Sequence, residues 1–109
     1  MFDALLDAIA ATGIPWAEDQ FFPRPPDVDY IVVSLEGSGD IMNGDDEHEQ
    51  EAVTGSVDLY LHRPDRAKEA LVEAALTSVC EGAWEMNSRQ RETNPHLIHI
   101  EYVFELESR

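Results

Sequence analysis

A dense run of acidic residues in the first half of the chain most constrains how it can fold. Residues 36–51 hold seven carboxylates and neither lysine nor arginine. The seven are Glu36, Asp40, Asp45, Asp46, Glu47, Glu49 and Glu51. Because strand patterns flank the segment on both sides, we expect a projecting loop or ribbon rather than a disordered tail.

The patterns on either side of the acidic segment are typical of β-strands with one buried face. Residues 29–36 alternate before it and residues 53–61 alternate after it, with Gly55 interrupting the second inward row as a candidate bulge. The inward residues are Ile31, Val33 and Leu35 in the first strand, and Val53, Val57, Leu59 and Leu61 in the second. The two strands and the segment therefore predict a hairpin with an enlarged acidic tip.

The rest of the chain predicts two helices and three further strands. Helices are expected over residues 2–12 and from Pro64-Asp65 to about Cys80, and strands at 14–16, 84–92 and 98–106. The buried side of the second helix is expected to comprise Ala67, Leu71, Ala74, Ala75 and Val79. The fourth strand is expected to point Arg89 and Arg91 outward.

This element order predicts an α+β fold in a single domain of residues 1–109, with the acidic hairpin tip at about 36–51. The expected core is an antiparallel or mixed sheet of four to five strands, with two helices packed on one face. The other face of the sheet is expected to be polar and acidic.

The charge balance excludes several classes of function. Seven basic and 23 acidic residues leave a formal net charge of −16, and 14 of the acids fall in the first 62 residues beside Arg24 alone. Binding to a phosphate backbone or an anionic membrane is therefore disfavoured. The single Cys80 cannot form an internal disulfide and is expected in the core. Without a signal peptide or an apolar span, we expect a soluble protein that is cytoplasmic where it is made.

Metal binding and catalysis are also disfavoured. The oxygen ligands of the acidic segment do not match the spacing of a calcium-binding loop, so a solvated charged hairpin is the better interpretation. His96 and His99 lie three apart near a strand and would point to opposite faces, which argues against zinc. No nucleophile elbow, phosphate-binding loop or enclosed carboxylate pair occurs. We expect neither an enzyme nor a cofactor.

Four short motifs form an ordered series along the chain. The series begins with the helix ending in Ala11-Thr12-Gly13-Ile14-Pro15 and the strand Asp29-Tyr30-Ile31-Val32-Val33. It continues with the strand Gly55-Ser56-Val57-Asp58-Leu59-Tyr60 before the second helix, and with His99-Ile100-Glu101-Tyr102 near the end. The series spans almost the whole chain, and in it the chain resembles the small tail-completion or tail-terminator proteins of long-tailed bacteriophages (siphoviruses) and prophages.

The resemblance implies a structural subunit of the virion that is assembled in the host cytoplasm. Such subunits form a ring, expected to be a hexamer, on the end of the tail tube, and join it to the head connector. The implied partners are further copies of the chain, the major tail tube protein and the connector protein. DNA would pass through the ring without specific binding, and no membrane or catalytic residue is involved.

Two questions stay open at the level of sequence. The seven carboxylates of the acidic segment would either line the lumen, where they repel phosphate, or dock on a basic partner surface. The chain could also be a small acidic cytoplasmic module that captures a basic partner or mimics nucleic acid.

Neutralising the tip tests its role. Replacing Asp45, Asp46, Glu47, Glu49 and Glu51 with Asn or Gln is expected to leave the fold intact, because no core position changes, and to disturb tail assembly or DNA passage. Circular dichroism checks the fold, and counts of completed tails and delivered DNA check the function. Normal tails and normal DNA passage in this variant would show that the acidic segment is only a solvated surface.

Overall fold

The computed structural model describes residues 2–18, 28–38, 52–93 and 96–107. Within these ranges the chain forms two helices and five strands. The elements are α1 (Phe2–Ala11), β1 (Trp16–Glu18), β2 (Tyr30–Ser38), β3 (Ala52–Leu61), α2 (Arg66–Cys80), β4 (Trp84–Thr93) and β5 (His96–Glu107). The strands form one sheet in the order β1-β2-β3-β5-β4. Only β1 and β2 are parallel, so the predicted α+β fold with a mixed sheet is confirmed.

The apolar residues that alternate along the strands meet both helices on one face of the sheet. The sheet contributes Ile31, Val33, Val57, Leu59, Leu61, Ile98, Ile100, Tyr102, Phe104 and Leu106. The helices contribute Leu5 and Ile9 from α1, and Val72, Leu76 and Cys80 from α2. The predicted packing of two helices on one face, with Cys80 in the core, is confirmed. Neither α1 nor α2 is long and apolar enough to cross a bilayer.

The buried side of α2 agrees with the prediction at Ala75, which is buried, and at Val79, which packs against the core, but differs elsewhere. Leu71, expected inside, is 45% exposed, whereas Val72, Leu76 and Cys80 are buried. The inward stripe also includes Glu69, only 3% exposed, whose Oε1 lies 3.0 Å from Nη1 of Arg89. Because Glu69 is charged, the buried stripe of α2 does not look apolar in the sequence. Alanines occur on both the buried and the exposed side of the helix, so they do not indicate which side is buried.

Arg89 and Arg91 are exposed, as predicted, but they lie on the helix-covered face of the sheet rather than on the outward face. The register of β4 against β5 shifts between Met86 and Ser88, which moves the following residues to the opposite face. Arg89 then pairs with Ile100 and Arg91 with Ile98, on the face covered by the helices. The bulge therefore brings the Arg89 guanidinium to Glu69.

The helix–sheet contact includes a second polar link. The buried Tyr102 donates a hydrogen bond from its hydroxyl to Oε2 of Glu73, at 2.8 Å. Burial, reinforced by this bond and by the nearby carboxylates, raises the pKa of Tyr102 well above its usual value. The phenol therefore stays protonated and ties β5 to α2.

Gly55 lies opposite a bulge rather than forming one. The register shift between β2 and β3 falls between Leu35 and Gly37, on β2. A Cβ atom on Gly55 would overlap the Ser34 carbonyl oxygen and lie 2.7 Å from Cζ of Phe104. Glycine is therefore required by the close approach of the neighbouring backbone and by the ring packed over it.

Gly55→Ala is expected to lower the free energy of unfolding by about 1–3 kcal/mol, because backbone and ring must shift to admit the methyl group. Urea denaturation followed by circular dichroism measures the change. A loss below about 0.5 kcal/mol would show that the close approach does not constrain β3.

Candidate interaction surface

Of the seven carboxylates singled out in the sequence, the structure places one. Glu36 lies near the end of β2 and is exposed. The other six fall outside the described residues: Asp40, Asp45, Asp46, Glu47, Glu49 and Glu51. Glu36 is thus the point at which the acidic segment leaves the described part of the sheet.

An open groove of about 450 Å³ lies at this end of the sheet. Its lining includes Glu36, Glu85, Glu105, Thr54, Trp84 and Phe104. Trp84 pairs with Phe104 across β4 and β5, and the Glu105 N–H donates to the Ala83 carbonyl at 2.9 Å. These backbone contacts hold Glu85 and Glu105 on neighbouring strands beside the groove. We call this feature the acidic groove.

The chemistry of the acidic groove suits a cationic side chain. Glu36, Glu85 and Glu105 are all exposed and supply acceptors. Trp84 and Phe104 belong to the helix-covered face, where Phe104 is buried and Trp84 is half-buried against Tyr102. A guanidinium is planar and weakly hydrated, and it donates paired hydrogen bonds to carboxylates, so it suits these acceptors. Within the described residues, no group of three or more His, Cys, Asp or Glu side chains is arranged to hold a metal ion.

The end of α2 nearest the groove adds another carboxylate. Glu81 caps the helix in a left-handed conformation at φ 54°, and its N–H donates to the Thr77 carbonyl at 3.0 Å. The C-terminus of a helix carries partial negative charge and normally favours basic residues. Here the last turn has none, so helix and side chain add negative potential at the same end.

The opposite end of the sheet carries arginines. Arg63 follows β3, Arg66 begins α2, and Arg91 pairs with Ile98, which itself pairs with Leu61 at the end of β3. All three arginines are exposed, and none forms an ion pair with another described residue. We call these three residues the arginine end.

Asp29 fixes the backbone of the arginine end. Its Oδ1 accepts hydrogen bonds from the backbone N–H of His62 at 2.8 Å and lies 2.9 Å from Nδ1 of that ring. Its Oδ2 accepts from Nζ of Lys68 at 2.8 Å, while Asp65 caps α2 by accepting from the Lys68 N–H. The start of β2 is thereby tied to the turn between β3 and α2.

The same contacts shift the pKa values of Asp29 and Lys68. Partial burial alone would raise the pKa of Asp29, but the hydrogen bonds from Lys68 and His62 outweigh it and lower the pKa below 3.8. The hydrogen bond to Asp29 raises the pKa of Lys68. Lys68 is therefore committed to this internal pair, unlike the arginines beside it.

The face of the sheet opposite the helices carries a row of stacked rings. Tyr30 and Tyr60 stack with centroids 4.6 Å apart, and Tyr60 and His99 stack at 4.3 Å. His99 Nε2 also lies 2.7 Å from Oδ1 of Asp58. The row crosses β2, β3 and β5 and braces the sheet. His62 and His99 contact different aspartates, and His48 and the His96 side chain fall outside what the structure describes.

Sequence reasoning missed the residues that complete both charged ends. Glu85, Glu105 and Arg91 lie on β4 and β5, and only their pairing register shows which end of the sheet each occupies. The bulge in β4 makes that register unreadable from alternation alone. The sequence does show Arg63 and Arg66 beside the start of α2, where basic residues oppose the helix dipole, and these two could have indicated the arginine end.

Comparison with known proteins assigns no family to the chain. No protein-family model matches it, and a search of curated proteins found no match.

Asp29→Asn is expected to lower the free energy of unfolding by about 1–3 kcal/mol at pH 7, because partly buried donors lose a charged acceptor. Since folding lowers the pKa of Asp29, its contribution is fully present above about pH 3.8 and is lost as the pH falls through the folded-state pKa. The difference between variant and wild type should therefore shrink as the pH falls below 3.8. Urea denaturation at several pH values measures it.

Asp7→Asn is the matched control, because Asp7 is exposed on α1. It is expected to change stability by less than about 0.5 kcal/mol at either pH. An Asp29→Asn effect no larger than the control, or one that grows on acidification, would contradict the role given to Asp29.

Proposed function

We propose that this chain is a structural subunit of a bacteriophage tail or neck, of the tail-terminator or tail-completion type. Several copies would form a ring, in the expected case a hexamer, at the end of the tail tube and join it to the head connector. The order of elements is the one that led to the resemblance, and the α+β architecture is the one it implies.

The observation that carries the proposal is the pair of oppositely charged ends on one sheet. A ring of more than two identical subunits needs two different patches on each subunit that fit one another. The acidic groove and the arginine end are such a pair. A protein that worked alone would have no need for both.

Charge also suits the passage of DNA. Carboxylates repel phosphate, whereas exposed lysine and arginine would retain it. A hexamer would carry about six times the −16 of each chain, so part of this charge has to be offset by partner bases or cations. The acidic segment that begins near Glu36 would therefore line the lumen or dock on the tube or connector.

The second candidate function is an acidic module that captures a basic partner or mimics nucleic acid. The acidic groove favours it, because its exposed carboxylates would accept a basic side chain from any protein. The arginine end has no role in this alternative. Competition with DNA for a DNA-binding protein is its distinguishing property.

Assembly with a tail tube tests the proposal. The purified chain, added to polymerising tube protein encoded in the same genome, is expected to give tubes that stop growing and carry a ring at one end, because a bound ring blocks addition of further tube subunits. Negative-stain electron microscopy measures tube length and end structure. An unrelated acidic protein of similar net charge is the control.

Tubes that grow to the same lengths with and without the chain, and lack rings at their ends, would overturn the tail function. If the chain then displaces DNA from a DNA-binding protein, the acidic module is the correct alternative.

A further inference from the structure

We infer that the acidic groove of one copy receives the arginine end of a second copy, so that subunits join head to tail. This contact would be the interface between subunits of the proposed ring, so its role rests on the proposed tail function. Its existence can be tested without a tail tube.

The groove presents exposed glutamates that suit an arginine. They come from three strands, with Glu36 on β2, Glu85 on β4 and Glu105 on β5. Carboxylates bind guanidinium in a planar, two-bonded geometry, which a lysine ammonium cannot match.

The two ends cannot neutralise each other within one subunit. From Ile98 to Glu105 along β5, a rise of about 3.3 Å per residue separates the ends by roughly 23 Å. The Debye length at physiological salt is about 8 Å, so the charges of the two ends are screened from each other. Arg63, Arg66 and Arg91 also have no ion pair among the described residues.

The C-terminus of α2 adds to the negative charge at the acidic groove. Bases in the last turn stabilise a helix, but the last turn of α2 has none and Glu81 caps its end. At the N-terminus, Asp65 and Glu69 offset Arg66 and Lys68, so the helix polarises the subunit mainly at its acidic end.

A second copy is the occupant that explains both ends together. A foreign basic partner would account for the groove and leave the arginine end without a role, and an acidic partner would do the reverse. A head-to-tail contact uses each end once per subunit, and repeats until the ring closes.

Complementary charge reversal tests the contact. Glu85→Arg with Glu105→Arg makes both ends basic, and Arg63→Glu with Arg66→Glu makes both ends acidic. Wild type is expected to self-associate in low salt and to dissociate as sodium chloride is raised. Each reversed variant alone should lose more than about tenfold in association constant, and an equimolar mixture should recover it. Sedimentation velocity measures mass against the 12.3 kDa monomer.

Asp7→Arg with Glu18→Arg is the matched control, since it makes the same change in net charge at exposed sites on α1 and β1. It should keep wild-type association and its salt dependence. All three variants change exposed side chains, and circular dichroism confirms their folding.

Wild type that stays monomeric in low salt, together with a mixture that also stays monomeric, would overturn the contact. So would variants that associate as well alone as when mixed. These outcomes leave the tube-capping experiment untouched, and failed capping with intact head-to-tail association would overturn the tail function alone.

Discussion

Burial of one face of the central strands beneath two helices is the constraint on which the rest of the structure depends. β3 and β5 pair along ten residues, and each presents an apolar row to α1 and α2, interrupted in β3 at Gly55. Each fully buried Leu, Ile or Val contributes on the order of 1.5–3 kcal/mol. With the main core on one face of the sheet, the exposed charges of the acidic groove and the arginine end lie at the two ends of the strands. Even the polar links inside the layer, Tyr102–Glu73 and Arg89–Glu69, join helix to sheet.

The arrangement of charge follows from this layering and from the direction of α2. The helix starts where β3 ends, so its positive N-terminus and the arginines lie at one end of the sheet. Its negative C-terminus returns the chain to the start of β4, beside the glutamates of the acidic groove. The chain is thus acidic in total, with a net charge of −16, but its charge is distributed unevenly, with carboxylates at one end of the sheet and arginines at the other. Such charge separation matters more to a protein that assembles with copies of itself than to one that acts alone.

The fold class was predictable from sequence because strict alternation along β3 and β5 leaves one solution for the buried face. The side of α2 was not, since a buried Glu69 looks like a surface residue until its partner Arg89 is known. That partner depends on the bulge at Met86, which alternation does not show. The candidate site was predicted only in part for the same reason. A run of acids is visible in sequence, whereas the meeting of Glu36 with Glu85 and Glu105 depends on strand register.

The most direct measurement of the head-to-tail contact is paramagnetic broadening between copies. A spin label on Ala67→Cys, exposed in the first turn of α2, marks the arginine end without removing a charge, and Cys80 stays unlabelled because it is buried and burial raises the pKa of its thiol to about 11. Mixed with isotope-labelled wild type, it should broaden the amide signals of Thr54, Glu85 and Glu105 at the acidic groove. Broadening confined to residues near the arginine end, or none at all, would contradict the account.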